Sequence, residues 1–257
     1  MAARRRHPAA IALLLLLGLL VTGGAYSLLA PKPAKAAVMS ADEIAKGKNL
    51  FLANCATCHG LSAQGTQTGP SLYGVGAAAV DFQVSTGRMP MVVPGVQAAR
   101  SEVKFSEEEI AAMAAYAASL APGPAVPDPA TVTGEDANAA AGGELFRVNC
   151  AMCHNFAGAG GALTRGKYAP ALAGATGTQV YEAMVTGPSS MPVFSDTNMD
   201  LKAKNDVIAY LTAIENEQQV GGFNLGNLGP VSEGFFVWIF GLGLLIACAV
   251  WLGRKAA

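Results

Sequence analysis

Histidine is almost missing from this chain: His7, His59 and His154 are the only three in 257 residues. Charge is also sparse, at 14% of residues, with a formal net charge of -1. Between Val38 and Ser232 there are 17 acidic and 10 basic side chains, an excess of seven negative charges. No basic stripe runs through that region, which excludes the electrostatic footprint of a nucleic-acid-binding protein. Strand signals are lacking too. No stretch alternates apolar and polar residues between turn signals, so the expected fold is all-α.

What is abundant is apolar sequence, 52% of residues, with a mean hydropathy of +0.35. Two runs stand out. Residues 1–37 read as an N-terminal signal or anchor segment. A basic stretch, Arg4 to His7, precedes an apolar run from Ala9 to Ala30, and Ala34-Lys35-Ala36 would serve as a small-residue cleavage site. The run is long for a signal core, which favours a retained anchor. The second run, 235–252, is uncharged over 18 residues, about 27 Å as a helix and close to one hydrocarbon thickness. Gly229-Pro230 breaks the chain before it, Trp238 and Trp251 lie towards its opposite ends as interfacial anchors, and Arg254 and Lys255 follow it. The positive-inside rule puts both basic clusters, and hence the tail 253–257, on the cytoplasmic side. Residues 38–232 then lie outside a plasma membrane, in an oxidising compartment.

This outside region is a duplication. The segment Gly47-Lys-Asn-Leu-Phe51-Leu-Ala-Asn54-Cys55-Ala-Thr-Cys58-His59 recurs as Gly142-Gly-Glu-Leu-Phe146-Arg-Val-Asn149-Cys150-Ala-Met-Cys153-His154. Pro70-Ser-Leu72 is echoed by Pro170-Ala-Leu172, and Thr86-Gly87-Arg88-Met89-Pro90 by Thr186-Gly187 followed by Met191-Pro192. Capping-box signatures at Ser40 to Glu43 and Ser106 to Glu109 open helical patterns through Ile44, Leu50 and Phe51, and through Ile110, Met113, Ala117 and Leu120. The second copy closes on Val207, Tyr210, Leu211 and Ile214. The expected organisation is a first domain at 38–121, a proline-rich and semi-rigid linker at 122–137, a second domain at 138–218, a connector at 219–234 and the spanning helix at 235–252. Phe51 with Tyr116, and Phe146 with Tyr210, are expected where the first and last helices of each domain cross.

Cys55-Ala-Thr-Cys58-His59 and Cys150-Ala-Met-Cys153-His154 have the form of c-type haem attachment sites. Two thiols three residues apart at a helix end reach the two vinyl groups of one porphyrin edge. The next residue presents its imidazole to the iron. A redox dithiol would sit beside a βαβ pattern, which is absent. A zinc site needs four ligands per metal, which requires pooling both motifs. Two copies in one duplicated frame favour covalent haem, one per domain.

The scarcity of histidine then decides more. His7 lies in the basic leader, so with His59 and His154 used as proximal ligands none remains for a second axial position. Bis-histidine haems, and any histidine-ligated copper centre, are excluded by inventory. Met89 and Met191 occupy matching places, each before a proline and before the closing helix, and are the expected distal ligands. Met91, two residues on, is the rival to Met89. A thioether is a soft neutral donor that raises the potential. Six-coordinate iron leaves no site for oxygen or peroxide, which argues for electron transfer and against a peroxidase or other stand-alone catalytic site. The fifth cysteine, Cys248, reads as a small apolar residue of the span.

Each copy resembles a class I cytochrome c domain: Gly-x-x-x-Phe before Cys-x-x-Cys-His, a Pro-x-Leu segment, Met-Pro, then a closing amphipathic helix. In that family the Pro-x-Leu segment supplies a backbone carbonyl to the proximal imidazole, which here implies Pro70 and Pro170. The whole chain, including "FQVSTGRMP", "GGALTRGKYAP" and "NLGNLGPVSEG", resembles the dihaem cytochrome c subunit of the actinobacterial cytochrome bcc complex. The resemblance implies a subunit of a menaquinol:cytochrome c reductase beside a cytochrome b and a Rieske iron–sulfur protein. Electrons would pass through the two haems to a haem–copper terminal oxidase. The alternative is a membrane-bound dihaem subunit of another respiratory oxidase or dehydrogenase.

Overall fold

Two helices that must approach more closely than side chains normally allow form the frame of each copy. In the first copy these are α2 (Ala41–Asn54) and α5 (Glu107–Leu120). In the second they are α6 (Ala139–Asn149) and α9 (Leu201–Asn216). At each crossing a glycine faces the backbone of the partner helix. A Cβ on Gly47 would lie 1.9 Å from the Ala112 carbonyl oxygen, and one on Gly142 would lie 1.7 Å from that of Asp206. One turn on, Phe51 meets Tyr116 and Phe146 meets Tyr210, both pairs with ring centroids 5.3 Å apart and tilted by 45° and 44°. The expected aromatic crossings are therefore both present, in the same geometry.

The computed structural model describes residues 8–29, 39–216 and 230–255. The basic leader, the Ala34–Ala36 cleavage candidate and most of the 219–234 connector lie outside the described residues. The chain divides into two units, Met1–Val38 and Met39–Ala257. In the first, α1 (Pro8–Leu29) is apolar, with Ile11–Ser27 forming a short apolar helix and its leucines exposed. In the second unit, the C-terminal segment runs through α10 (Pro230–Val237), one π-helical turn at Trp238–Leu242 and α11 (Gly243–Lys255). Over Glu233–Lys255 it is long and apolar enough to cross a membrane, with a mean hydropathy of 2.5. Lys255 lies over the Trp251 ring at 4.6 Å, and Cys248 is exposed.

Both capping boxes form as the sequence predicts, Ser40 with Glu43 and Ser106 with Glu109. A third, Thr176 with Gln179, opens α8 (Gly177–Thr186), whose counterpart in the first copy is α4 (Gly76–Ser85). Helix α8 is clearly amphipathic, whereas α4 carries no such signature. Gly76, Ala77, Ala78, Phe82 and Val84 are buried on several sides of α4, so the apolar spacing loses its period. The all-α reading holds apart from a two-residue hairpin, β1 (Gly161–Ala162) against β2 (Tyr168–Ala169). It lies in the longer segment between motif and Pro-x-Leu that the second copy carries.

The proline-rich linker is stitched to both domains. The Pro124 carbonyl accepts from Ala78 N–H, the Asn205 amide donates to the Thr131 carbonyl, and Val132 is fully buried. The domains themselves meet through α4 and α8. Gln97 clamps the second domain by a two-way bond: its amide donates to the Tyr168 carbonyl (2.8 Å) and accepts from the Tyr168 N–H (2.9 Å). Glu182 on α8 is 0% exposed, and both its oxygens lack a well-formed hydrogen bond among the described residues. Burial, then the facing Asp81 carboxyl of α4, pushes its pKa to about 9. Asp81 is raised as well, chiefly by burial.

Two outcomes follow from this packing. Gly47→Ala and Gly142→Ala each force a methyl into a backbone carbonyl and should cost about 1–3 kcal/mol, read as a lowered midpoint of denaturant unfolding in detergent. Glu182 binds its proton more tightly folded than unfolded, so its stabilising contribution is complete below pH 4.5 and is lost as pH rises through about 9. The unfolding midpoint should fall across that interval, and Glu182→Gln should flatten the fall. An unchanged pH profile in the variant would show that Glu182 is ionised in the folded protein.

Candidate haem-binding sites

Each Cys-x-x-Cys-His motif sits where one helix ends and a single new turn begins. The first helix breaks at its own cysteine, Cys55 (φ −122°, ψ −29°) or Cys150 (φ −121°, ψ −36°). The short helices α3 (Ala56–His59) and α7 (Ala151–His154) then carry the second cysteine and the histidine. The asparagine before each motif anchors the break: Asn54 donates to the Leu50 carbonyl and Asn149 to that of Leu145, both at 2.9 Å. After the histidine the backbone takes a positive φ, at Gly60 (φ +82°) and Asn155 (φ +64°). With ψ at 153° and 154° this is the positive-φ extended region, which glycine adopts freely and which Asn155 holds only because the surrounding fold imposes it.

This turn brings each imidazole onto the Pro-x-Leu segment. Nδ1 of His59 donates to the Pro70 carbonyl at 2.7 Å, and Nδ1 of His154 to that of Pro170 at 3.0 Å. The segment is itself held by Leu72 N–H on the Ala63 carbonyl and Leu172 N–H on that of Gly158. The separations differ, 11 residues in one copy and 16 in the other, yet the bond is the same. With Nδ1–H engaged by a carbonyl, Nε2 keeps its lone pair free, the arrangement metal-ligating histidines adopt. Burial lowers the His154 pKa, partly offset by the Pro170 bond, which keeps the ring neutral.

The thiols are unpaired. Burial, and then the neighbouring thiol, pushes both Cys55 and Cys150 up to about 11. A redox dithiol has the opposite property, a nucleophilic cysteine with a lowered pKa. Among the described residues no three His, Cys, Asp or Glu side chains converge on one point. The motifs are two separate sites.

Met89 and Cys55 pack against one cluster, Val84, Ile110 and Met113. Met191 and Cys150 likewise share a cluster, Phe146, Met184, Met199, Val207 and Leu211. Each matched methionine thus packs on the same apolar cluster as the first cysteine of its motif. The Met91 methyl lies beside Gly95 in its own loop, 3.7 Å from where a Cβ there would stand. Met184 is buried near Met191, but its counterpart by the Thr86/Thr186 register is Val84, which has no sulfur.

One cleft gathers Cys150, Cys153, His154 and Met191 with the apolar wall of Phe146, Val180 and Leu211. Its far side is made by the first domain, through Phe82, Thr86, Arg88, Gln97 and Arg100. Sequence reasoning did not reach these residues. They lie some 50 to 70 positions from the motif they face, and only the domain docking brings them there. Burial lowers the Arg88 pKa, and the nearby Arg100 guanidinium lowers it further.

Comparison with known proteins agrees with this geometry. Residues 44–121 match the family "Cytochrome c", and residues 137–211 match "Cytochrome C oxidase, cbb3-type, subunit III". The cytochrome bc1 complex cytochrome c subunit of Mycobacterium leprae is 46% identical over 95% of this chain and 87% of its own length. Those of Mycobacterium tuberculosis (46%, covering 95% and 90%) and Corynebacterium efficiens (42%, covering 98% and 90%) are similar throughout. With identity at that level over nearly the full length, and both cytochrome c domains in place, the chain belongs to the family of cytochrome bc1 complex cytochrome c subunits.

Proposed function

We propose that this chain is the two-haem electron-transfer subunit of a membrane quinol:cytochrome c reductase. It would take electrons from a Rieske iron–sulfur protein held beside a cytochrome b, and deliver them to a haem–copper terminal oxidase. The observation that carries the reading is a duplicated constellation: in each domain a thiol pair, an imidazole with its Nδ1 on a proline carbonyl, and a thioether packed on the same apolar cluster as the first thiol. Membership of a bc1-complex family supplies the setting.

Haem bound at these sites supplies one-electron chemistry at its iron. The residues do the rest. Cys55 and Cys58, and Cys150 and Cys153, would hold each porphyrin through thioether bonds. His59 and His154, oriented by the Pro70 and Pro170 carbonyls, and Met89 and Met191 would ligate its iron. A neutral thioether in an apolar pocket favours the reduced iron and leaves no open position, so the sites relay electrons without a chemical substrate of their own. Val148 and Met152 leave the outer face of the second motif apolar, Met152 being 90% exposed, which suits close approach of a redox partner. The haem domains lie on the extracytoplasmic side, with α11 crossing the membrane to a cytoplasmic C-terminus and the N-terminal segment retained as a second anchor.

The pyridine haemochrome assay should give two haems per chain, falling to one in Cys55→Ser/Cys58→Ser or Cys150→Ser/Cys153→Ser. Met89→Ala and Met191→Ala should each abolish half of the thioether-to-iron charge-transfer absorption of the oxidised protein, while Met91→Ala leaves it whole. Purification through a tag on this chain should recover cytochrome b and an iron–sulfur subunit. Recovery of oxidase subunits without cytochrome b would favour the other respiratory dihaem reading, to which the family match at 137–211 also points.

A further inference from the structure

The cleft at the second motif carries a charge that its own residues do not balance. Arg88 and Arg100 line it from the first domain and Lys167 from the second, and no aspartate or glutamate is among its lining residues. These are three of only ten basic residues in a region that is net acidic. The ion pairs among the described residues lie elsewhere, Lys202 with Asp206 and Lys204 with Asp196. Arg88 rests over the Phe82 ring, 4.9 Å from its centroid, and Lys167 meets the Ser190 hydroxyl at 3.0 Å. Clustered cations in a half-buried cleft are unfavourable unless an anion joins them.

The loop that carries them is held in place. Gly87 and Ser101 close it by a hydrogen bond from the Ser101 hydroxyl to the Gly87 carbonyl, and Gly87 has room for no side chain there. The Gln97 clamp on Tyr168 then seats the loop on the second domain. Haem is an apolar ring with two carboxylates on one edge. Its thioether edge would be taken by Cys150 and Cys153, and Arg88 and Arg100 stand on the side of the cleft made by the other domain. Guanidinium forks match carboxylates in geometry as well as charge.

We propose that Arg88 and Arg100 of the first domain hold the propionate carboxylates of the haem bound in the second domain. Domain docking thereby completes the second haem site and raises its potential. This rests on the two-haem reading above. It also makes neighbours of two functions, since Arg88 directly precedes Met89, the proposed ligand of the first haem.

The test is a spectroscopic redox titration of the full-length holoprotein, purified in detergent without partner subunits. Haem content is measured first, and Met191→His marks the step belonging to the second haem. Fewer than two haems in the parent protein, or no step moved by Met191→His, defeats the underlying reading. With that reading intact, Arg88→Gln and Arg100→Gln should each lower the reduction constant of the marked step by roughly tenfold, about 59 mV for one electron. Arg88→Lys and Arg100→Lys, which keep the charge, should lower it by less than half as much. The other step should stay in place in Arg100→Gln. Should Arg88→Gln disturb the Met89 charge-transfer absorption, Arg100→Gln decides alone. Two haems with an unmoved marked step would overturn the proposal, and would mean that these cations serve an acidic partner surface.

Discussion

The close approach of first and last helix at a glycine is the constraint on which each domain depends. A backbone carbonyl fills the space of a missing Cβ at Gly47 and at Gly142, so the helices can cross only there and only at one depth. That depth sets Phe51 on Tyr116 and Phe146 on Tyr210, one turn further along. One more turn on, the helix ends at the first cysteine. The crossing therefore also fixes where the motif leaves the helix, and hence where the imidazole turns onto the proline carbonyl. Packing and chemistry share one frame, which explains why both copies retain the Gly-to-Phe-to-Cys spacing while the segments after the histidine differ in length.

Much of this was legible in the sequence because it is local or repeated. The capping boxes at Ser40 and Ser106 each show in a four-residue spacing, the aromatic crossings in the duplicated Gly-to-Phe-to-Cys frame and its closing helix, and the Pro70 and Pro170 carbonyls in the family resemblance, since their distances from the histidine differ. Of the middle helices only α4 was hard to read: it is packed on several faces, so its apolar residues have no period, whereas α8 opens on the Thr176 capping box and has an amphipathic spacing. The interface was not legible at all. Nothing near Gln97 announces that its amide will bond backbone at Tyr168, and nothing near Glu182 announces a carboxyl facing it from Asp81. Such contacts depend on how two domains settle together, and duplication gives no help because the two copies present different residues to each other.

The interface is also where the copies cease to be equivalent. In the register set by Thr86 and Thr186, Phe82 of one domain corresponds to Glu182 of the other. Each threonine hydroxyl bonds the carbonyl of that residue, so the backbones agree while the side chains diverge. Phe82 reaches the cleft at the second motif, and Glu182 is buried against Asp81. Two identical domains would give two identical sites and no preferred direction for an electron. Divergence at the shared surface is the simplest means of setting the sites apart without altering either ligand set.

That asymmetry bears on how a chain whose two domains are docked together can work. A diffusing carrier needs one exposed site and no memory of orientation. Here the linker is bonded to both domains, Gln97 locks one onto the other, and an apolar helix long enough to cross a membrane follows the second. The distance between the sites is then a property of the fold and does not vary with each encounter. With separation fixed, the quantity left to adjust is the difference in potential. On the proposed two-haem reading, charges placed across the domain boundary would adjust it mainly at one site, because the effect of a charge in a partly buried cleft falls off steeply towards solvent. The rigid docking and the unbalanced cations would then be two parts of one arrangement: the first holds the geometry constant, and the second would be effective only because it does.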